Sequence, residues 1–326
     1  LKGLGGNDEI QGGEGDDNIE GGDGDDTLRG GDGVDAIDGG AGVDVIYGGD
    51  GNDVLKDNGE NTIYGEGGDD YISYASVEYS DEHNAGGRTQ GLKVYGGDGN
   101  DTIISPAFAL VDAGSGDDSV TFSGGLGSYI SLLSGGDGYD ILSYSWFGNS
   151  GSTIDWQIVS GFEELRLGGD AGSVTFTDNV GQAGTTLKVS SATNGHGTTF
   201  DFSSESDAYL DITGTDTYRP NDTLIGGALA DIIRGQGGDD VIQGNAGNDT
   251  LELGSGDDIV TGGAGDDTID GGIGTDIAIY SGNQSDYLIT ELSYAKYQVI
   301  DSRGTDGTDT VQFIETLRFS DQDVDI

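Results

Sequence analysis

The sequence predicts an all-β fold, a parallel β-roll or β-helix solenoid with a C-terminal β cap. Three observations carry this. The 326-residue chain holds 65 Gly against 2 Pro. A nine-residue unit recurs in phase from the opening residues onward, and self-similarity at a short fixed period marks a solenoid. Each unit ends in an x-apolar-x triplet, a short strand whose central residue points inward while its neighbours point outward.

The unit reads Gly-Gly-x-Gly-x-Asp-x-apolar-x. After a looser GLGGNDEIQ, clean copies are GGEGDDNIE at 12–20, GGDGDDTLR at 21–29, GGDGVDAID at 30–38, GGAGVDVIY at 39–47 and GGDGNDVLK at 48–56. An eight-residue half-turn, DNGENTIY, lacks the central glycines, and GEGGDDYIS at 65–73 restores the pattern. Residues 1–73 thus form a first array, with sixth-position aspartates Asp8, Asp17, Asp26, Asp35, Asp44, Asp53 and Asp70. Residues 74–95 are a polar insertion that breaks the period, a surface loop or a spacer.

Residues 96–216 form a middle with few such loops: GGDGNDTII (Asp101), AGSGDDSVT (Asp118) and GGDGYDILS (Asp140). Beyond Ser173 the short alternating segments VTFT, LKVS, FDFS and LDIT predict wider coils. Residues 217–279 are a second array, with Asp222, Asp231, Asp240, Asp249, Asp258, Asp267 and Asp276 nine apart. After Tyr280 the period stops, and residues 280–326 read as a hairpin and one further strand, a terminal cap.

Two units make one coil of eighteen residues. In each, the apolar residue points inward, so Ile19, Leu28, Ile37, Ile46 and Leu55 are the expected core, and the glycines permit the tight turn. Loops eighteen residues apart stack at the strand spacing of roughly 4.8 Å, which brings sixth-position carboxylates into register. With 61 acidic against 12 basic residues the formal charge is −49, and such a stack repels itself unless something cationic neutralises it. Carboxylates and backbone carbonyls form a hard-oxygen set that suits Ca²⁺ over zinc or copper. The expected cofactor is several calcium ions.

The same charge argues against nucleic acid and anionic lipid as partners. No apolar run reaches the roughly 18 residues of a membrane span, and the absence of Cys excludes a disulfide framework. His83 and His196 stand in unrelated segments without a nucleophile or an HExxH context, so no catalytic residue is expected. Glu163 and Glu164 read as strand-edge charges. Trp146, Phe147 and Trp156, with Tyr129, Tyr139 and Tyr144, read either as core packing or as a platform for sugar rings.

On these nonapeptides the chain resembles the repeats-in-toxin (RTX) calcium-binding proteins with their haemolysin-type β-roll. The resemblance implies that each ion is shared by Asp carboxylates one coil apart, with loop carbonyls completing the shell. The implied pairs are Asp8 with Asp26, Asp17 with Asp35, Asp26 with Asp44, Asp35 with Asp53 and Asp53 with Asp70. In the second array they are Asp231 with Asp249, Asp240 with Asp258, Asp249 with Asp267 and Asp258 with Asp276. Asp101 with Asp118 follows in the middle. Pro220 in the fourth position weakens Asp222 with Asp240, and a spacing of 22 argues against Asp118 with Asp140.

The resemblance further implies a secreted, extracellular bacterial protein, exported by type I secretion and folding on meeting calcium. Leu1 begins in mid-pattern, which suggests a piece of a larger protein. The rival readings are an accessory region of a secreted lipase, protease or polysaccharide-modifying enzyme, and an adhesin or surface-layer segment that binds a glycan or a second copy of itself.

Overall fold

The computed structural model describes residues 1–58, 61–74, 92–106, 110–123, 132–146, 159–169, 173–176, 182–191, 196–216 and 220–326. Among these there is no α-helix; short strands joined by tight turns dominate. The chain divides into two compact units, residues 1–146 with 158–164 and residues 147–157 with 165–326. The predicted all-β solenoid is the observed fold.

In the first unit alternate strands enter two parallel sheets. Asn18–Asp23, Ala36–Ala41 and Val54–Asp57 stack in one, Thr27–Asp32, Val45–Asp50 and Thr62–Gly67 in the other. Ile19 lies opposite Ile37 and Leu28 opposite Ile46, so one coil is two nonapeptides. The shortened half-turn leaves the register intact, with Ile46 opposite Ile63. Ile63 then pairs with Val94 and Ile72 with Ile103, so the coil resumes in phase after residues 75–91.

Most strands of the arrays are six residues long because the alternation continues through the first glycine. In Thr27–Asp32, Leu28 and Gly30 are buried while the residues between face outward. The core is therefore a single column of aliphatic side chains, Ile19, Leu28, Ile46 and Leu55 at 0% exposure. Burying such a side chain contributes about 1.5–3 kcal/mol, but each half coil supplies only one.

In the second unit the coils are first wider and then regular. Val174 pairs with Phe200 and Leu187 with Leu210, whereas Ile233 pairs with Leu251 eighteen residues on. The wider interior is filled by larger groups: Phe176, Phe200 and Phe202 are fully buried, and the Phe176 and Phe202 rings stack with centroids 3.7 Å apart.

The C-terminal region differs from the expectation that the period simply ends at Tyr280. Tyr287–Ser293 and Lys296–Asp301 form an antiparallel hairpin. The chain then rejoins the solenoid: Thr308–Gln312 runs parallel to Thr268–Ile273, with Val311 opposite Ile269, and Thr316–Arg318 runs parallel to Ile277–Ile279. Arg303 locks the hairpin, donating to both oxygens of Asp301 and to the Tyr287 hydroxyl. Asp301 also accepts backbone N–H bonds from Arg303, Thr305 and Asp306. Burial alone would raise its pKa, but these donors outweigh burial and bring it down to about 2.

Candidate metal centres

Asp249 shows how one centre is built. The strand Val241–Ala246 ends just before the turn, and at the sixth position the chain tips the Asp249 side chain inward, where it is 2% exposed. Its Oδ1 accepts the N–H of Asp231 at 2.8 Å, and its own N–H donates to Asp267 Oδ1 at 2.8 Å. Oδ2 is buried without a hydrogen-bond partner. A Cβ added at Gly244 would come within 3.0 Å of both Asp249 Oδ2 and the Gly262 carbonyl oxygen. Only a glycine leaves that space, and two acceptor oxygens with no proton between them face it. Such an arrangement is costly unless a cation enters.

The relation repeats along the edges of both units. On one edge of the first unit the N–H of Asp8 donates to Asp26, Asp26 to Asp44 and Asp44 to Asn61. On the other edge, Asp17 donates to Asp35, and the chain of bonds continues through Asp53, Asp70, Asp101, Asp118 and Asp140. The Asp118 to Asp140 bond is 2.8 Å long although the two are 22 residues apart. The sequence spacing argued against that pair; strand register keeps them together, with Val120 opposite Leu142. In the second unit, Asp222 donates to Asp240, Asp240 to Asp258 and Asp258 to Asp276, and Asp231 leads through Asp249 to Asp267.

An unpartnered buried Oδ2 is found at Asp8, Asp26, Asp35, Asp44, Asp53, Asp70, Asp101, Asp118, Asp140, Asp240, Asp249, Asp258, Asp267 and Asp276. Asp17 Oδ2 lies in the same cradle, beside the Gly30 carbonyl. Two predicted positions differ. Asp222 spends Oδ1 on Thr198 and Oδ2 on the N–H of Thr215, and Asp231 spends Oδ1 on Leu210 and Oδ2 on Gly227. These two carboxylates, where the wide coils meet the array, are already satisfied by the chain.

Burial, reinforced by neighbouring carboxylates, raises the pKa of several ladder aspartates. Asp53 and Asp140 are pushed up to about 6, and Asp70, Asp101, Asp118, Asp240, Asp249 and Asp276 to about 7. Without a counter-ion the folded chain holds these groups against their preference for ionisation. Among the described residues no three Asp, Glu or His side chains converge as a metal cluster, so an ion here would draw on carboxylates and backbone carbonyls together. That mixed oxygen set fits calcium.

Fifth-position side chains form a second, reciprocal ladder. Asp25 Oδ1 accepts the N–H of Val43, Asn52 Oδ1 that of Asp69 and Asp239 Oδ1 that of Asp257, each one coil later. Position six reaches backward and position five forward. Val34 and Val43 point out, both 53% exposed.

Residues outside the predicted set also stand in or beside the sixth-position ladders. Asn61 stands in the place of an Asp in the shortened half-turn. Asp57, at the position of a first glycine, turns a buried, unpartnered Oδ2 toward Asp44 Oδ2 over Gly39. Asp309 accepts the N–H of Asp267 at 2.9 Å, 42 residues on instead of 18. Residues 304–312 read GTDGTDTVQ, a nonapeptide with Thr305 for the second glycine, and this was the available signal. Of the other readings, His196 is exposed and Tyr144 is buried. His83, Tyr129, Phe147, Trp156 and the Trp146 side chain lie outside the described residues.

No curated protein matches the chain. The family model of the RTX calcium-binding nonapeptide repeat matches residues 2–37, 20–55, 57–76, 93–105, 221–251, 243–278 and 253–288. Those segments hold both arrays and the first loop of the middle, and repeats of this kind are structural calcium-binding motifs. Over these segments the chain carries the RTX calcium-binding nonapeptide repeat in several copies.

Proposed function

We propose that this chain is the calcium-dependent structural module of a secreted bacterial RTX protein, unfolded in low cytosolic calcium during type I export and folded by calcium outside the cell. The observation that carries the reading is the column of buried Asp Oδ2 oxygens with no hydrogen-bond partner. The proposed ligands are the sixth-position aspartates with an open oxygen, each acting with its neighbour one coil away and with first-glycine carbonyls. Asp222 and Asp231 frame the second array without supplying an open oxygen.

The energetics support a metal-driven fold. The aliphatic column is thin, the net charge is −49, and the inward carboxylates oppose compaction. Calcium supplies the missing positive charge when bound, so binding free energy becomes folding free energy. Affinities of order 10⁻⁴ to 10⁻³ M would match extracellular modules.

Far-UV circular dichroism during a calcium titration, with magnesium as control and reversal by a chelator, tests the reading. A cooperative, calcium-selective gain of β signal is expected. A chain fully folded in chelator and unmoved by calcium would overturn it.

A further inference from the structure

At the last rung of two ladders, one in each unit, the aspartate is replaced by a glutamate. The N–H of Asp140 donates to Glu163 Oε2, and that of Asp276 to Glu315 Oε2, both at 2.8 Å. Sequence reading took Glu163 for a strand-edge charge; the structure puts it in the ladder. The two segments are alike: Gly161-Phe162-Glu163-Glu164-Leu165-Arg166 and Phe313-Ile314-Glu315-Thr316-Leu317-Arg318.

Their geometry is alike too. Phe162 and Ile314 plug the core at 3% and 4% exposure. The Asp140 carbonyl accepts the N–H groups of both Glu163 and Glu164, and the Asp276 carbonyl those of Glu315 and Thr316. Two residues before each Glu the backbone is left-handed, φ +71° at Gly161 and +52° at Phe313. For a phenylalanine that conformation is unfavourable, and the residue is 44% exposed, so core burial of the side chain does not explain it. The backbone does: the turn aims the carbonyl into the position held elsewhere by a first-glycine carbonyl. A Cβ at Gly135 would come within 3.0 Å of both the Gly161 oxygen and Asp140 Oδ2, and one at Gly271 within 3.0 Å of both the Phe313 oxygen and Asp276 Oδ2. Both Oδ2 atoms are buried and without a partner.

We propose that Glu163 and Glu315 are terminal ligands of two divalent-cation sites, each built from the last Asp of a ladder, a left-handed carbonyl and the Glu carboxylate. The sites comprise Asp140, Gly161 and Glu163, and Asp276, Phe313 and Glu315. The proposal rests on the calcium reading above and assigns to it two residues outside the matched repeats. A Glu side chain reaches one methylene further than Asp, which suits a rung whose backbone approaches through a different turn, and Glu can present both oxygens to Ca²⁺. The consequence is an end coil fastened by the ion: the strand Thr316–Arg318 and the cap behind it dock fully only when the last site is loaded.

Calcium counting by isothermal titration calorimetry on wild type, Glu163→Gln, Glu315→Gln and Glu164→Gln tests this, with far-UV circular dichroism at saturation. Gln keeps an oxygen for the Asp N–H but loses the charge. Each ladder variant is expected to lose one bound ion or to show one site weakened at least tenfold, while Glu164→Gln binds as wild type. Unchanged binding in Glu163→Gln and Glu315→Gln would overturn the proposal alone, as would loss of the same ion in Glu164→Gln. A wild type that binds no calcium would instead overturn the functional reading. If a ladder variant shows less β signal, tenfold more calcium should restore it; a deficit that calcium cannot restore would mean a purely structural role and sink the assignment.

Discussion

The N–H of Asp249 donates to Oδ1 of Asp267 at 2.8 Å as Asp231 donates to Oδ1 of Asp249, and Oδ2 of both carboxylates stays buried without a partner. Each aspartate thus has two separable duties, one oxygen for the neighbouring coil and one for a cation. Asp249→Asn should separate them: its amide oxygen still accepts from Asp231, while its NH₂ can donate to the Gly262 carbonyl. The metal-free fold should become more stable and the calcium midpoint should rise several-fold. Asp249→Ala should lose both duties. Asp301, although outside the array, is unsuitable as a comparison because it anchors Arg303 and the cap hairpin. Exposed Asp32 serves instead, and Asp32→Ala should leave the midpoint in place. Equal effects of Asp249→Ala and Asp32→Ala in a calcium-monitored titration would refute the site geometry.

Acid should partly replace calcium. The ladder carboxylates Asp53, Asp140, Asp70, Asp249 and Asp276 have folded pKa values of about 6 to 7, above the ordinary 3.8, first through burial and then through neighbouring charge. The folded chain therefore binds protons more tightly than the unfolded one. This contribution to stability is complete below about pH 4 and is lost as pH rises through 6 to 7. In chelator, the β signal should grow as pH falls from 8 toward 4, and the calcium midpoint should rise over the same range because proton and ion compete for one oxygen. Metal-free order that increased with pH would contradict the burial of these groups.

Gly244 tests the cradle directly. Its φ is not in the left-handed region, so backbone strain gives no objection to Ala. The objection is steric, because the new methyl would occupy the space between Asp249 Oδ2 and the Gly262 carbonyl. Gly244→Ala should destabilise the calcium-loaded second array by more than about 3 kcal/mol, in the range of severe overpacking, and abolish one calcium site. Urea unfolding in saturating calcium together with an ion count decides it; a loss under about 1 kcal/mol with all ions retained would show that the space is not the site.

Much of this was legible because the determinants are local. The apolar eighth position and the sixth-position Asp recur at fixed spacing, and eighteen residues per coil turns that spacing into spatial register. The hidden parts are those where the period is broken in sequence but kept in space. Asp309 follows a hairpin of its own and a nonapeptide with Thr305 for glycine, so counting stops before it. Asp118 and Asp140 keep register through strand pairing that a spacing of 22 conceals. Glu163 and Glu315 fall outside an Asp-based pattern, and only the bonds from Asp140 and Asp276 reveal them. The fifth-position ladder is hidden because each acceptor serves the next coil, which no single unit displays.

That fifth position supplies the last prediction. The N–H of Val34 donates to Asp16 Oδ1 at 2.9 Å, so Val34 receives support from the coil before it. Its own side chain offers no acceptor to Asn52 one coil later, whereas Asp25 serves Val43 and Asn52 serves Asp69 in just that way. Val34 is 53% exposed, so removing its isopropyl group forfeits little core packing. Val34→Asn should therefore add one inter-coil hydrogen bond without adding charge, stabilising the calcium-loaded fold by about 0.5–1.5 kcal/mol. Val34→Ala, which lacks the acceptor, should change stability by less than about 0.5 kcal/mol. Both follow from urea unfolding at saturating calcium. If Asn and Ala behaved alike, the fifth-position ladder would be a consequence of coil stacking and not one of its causes.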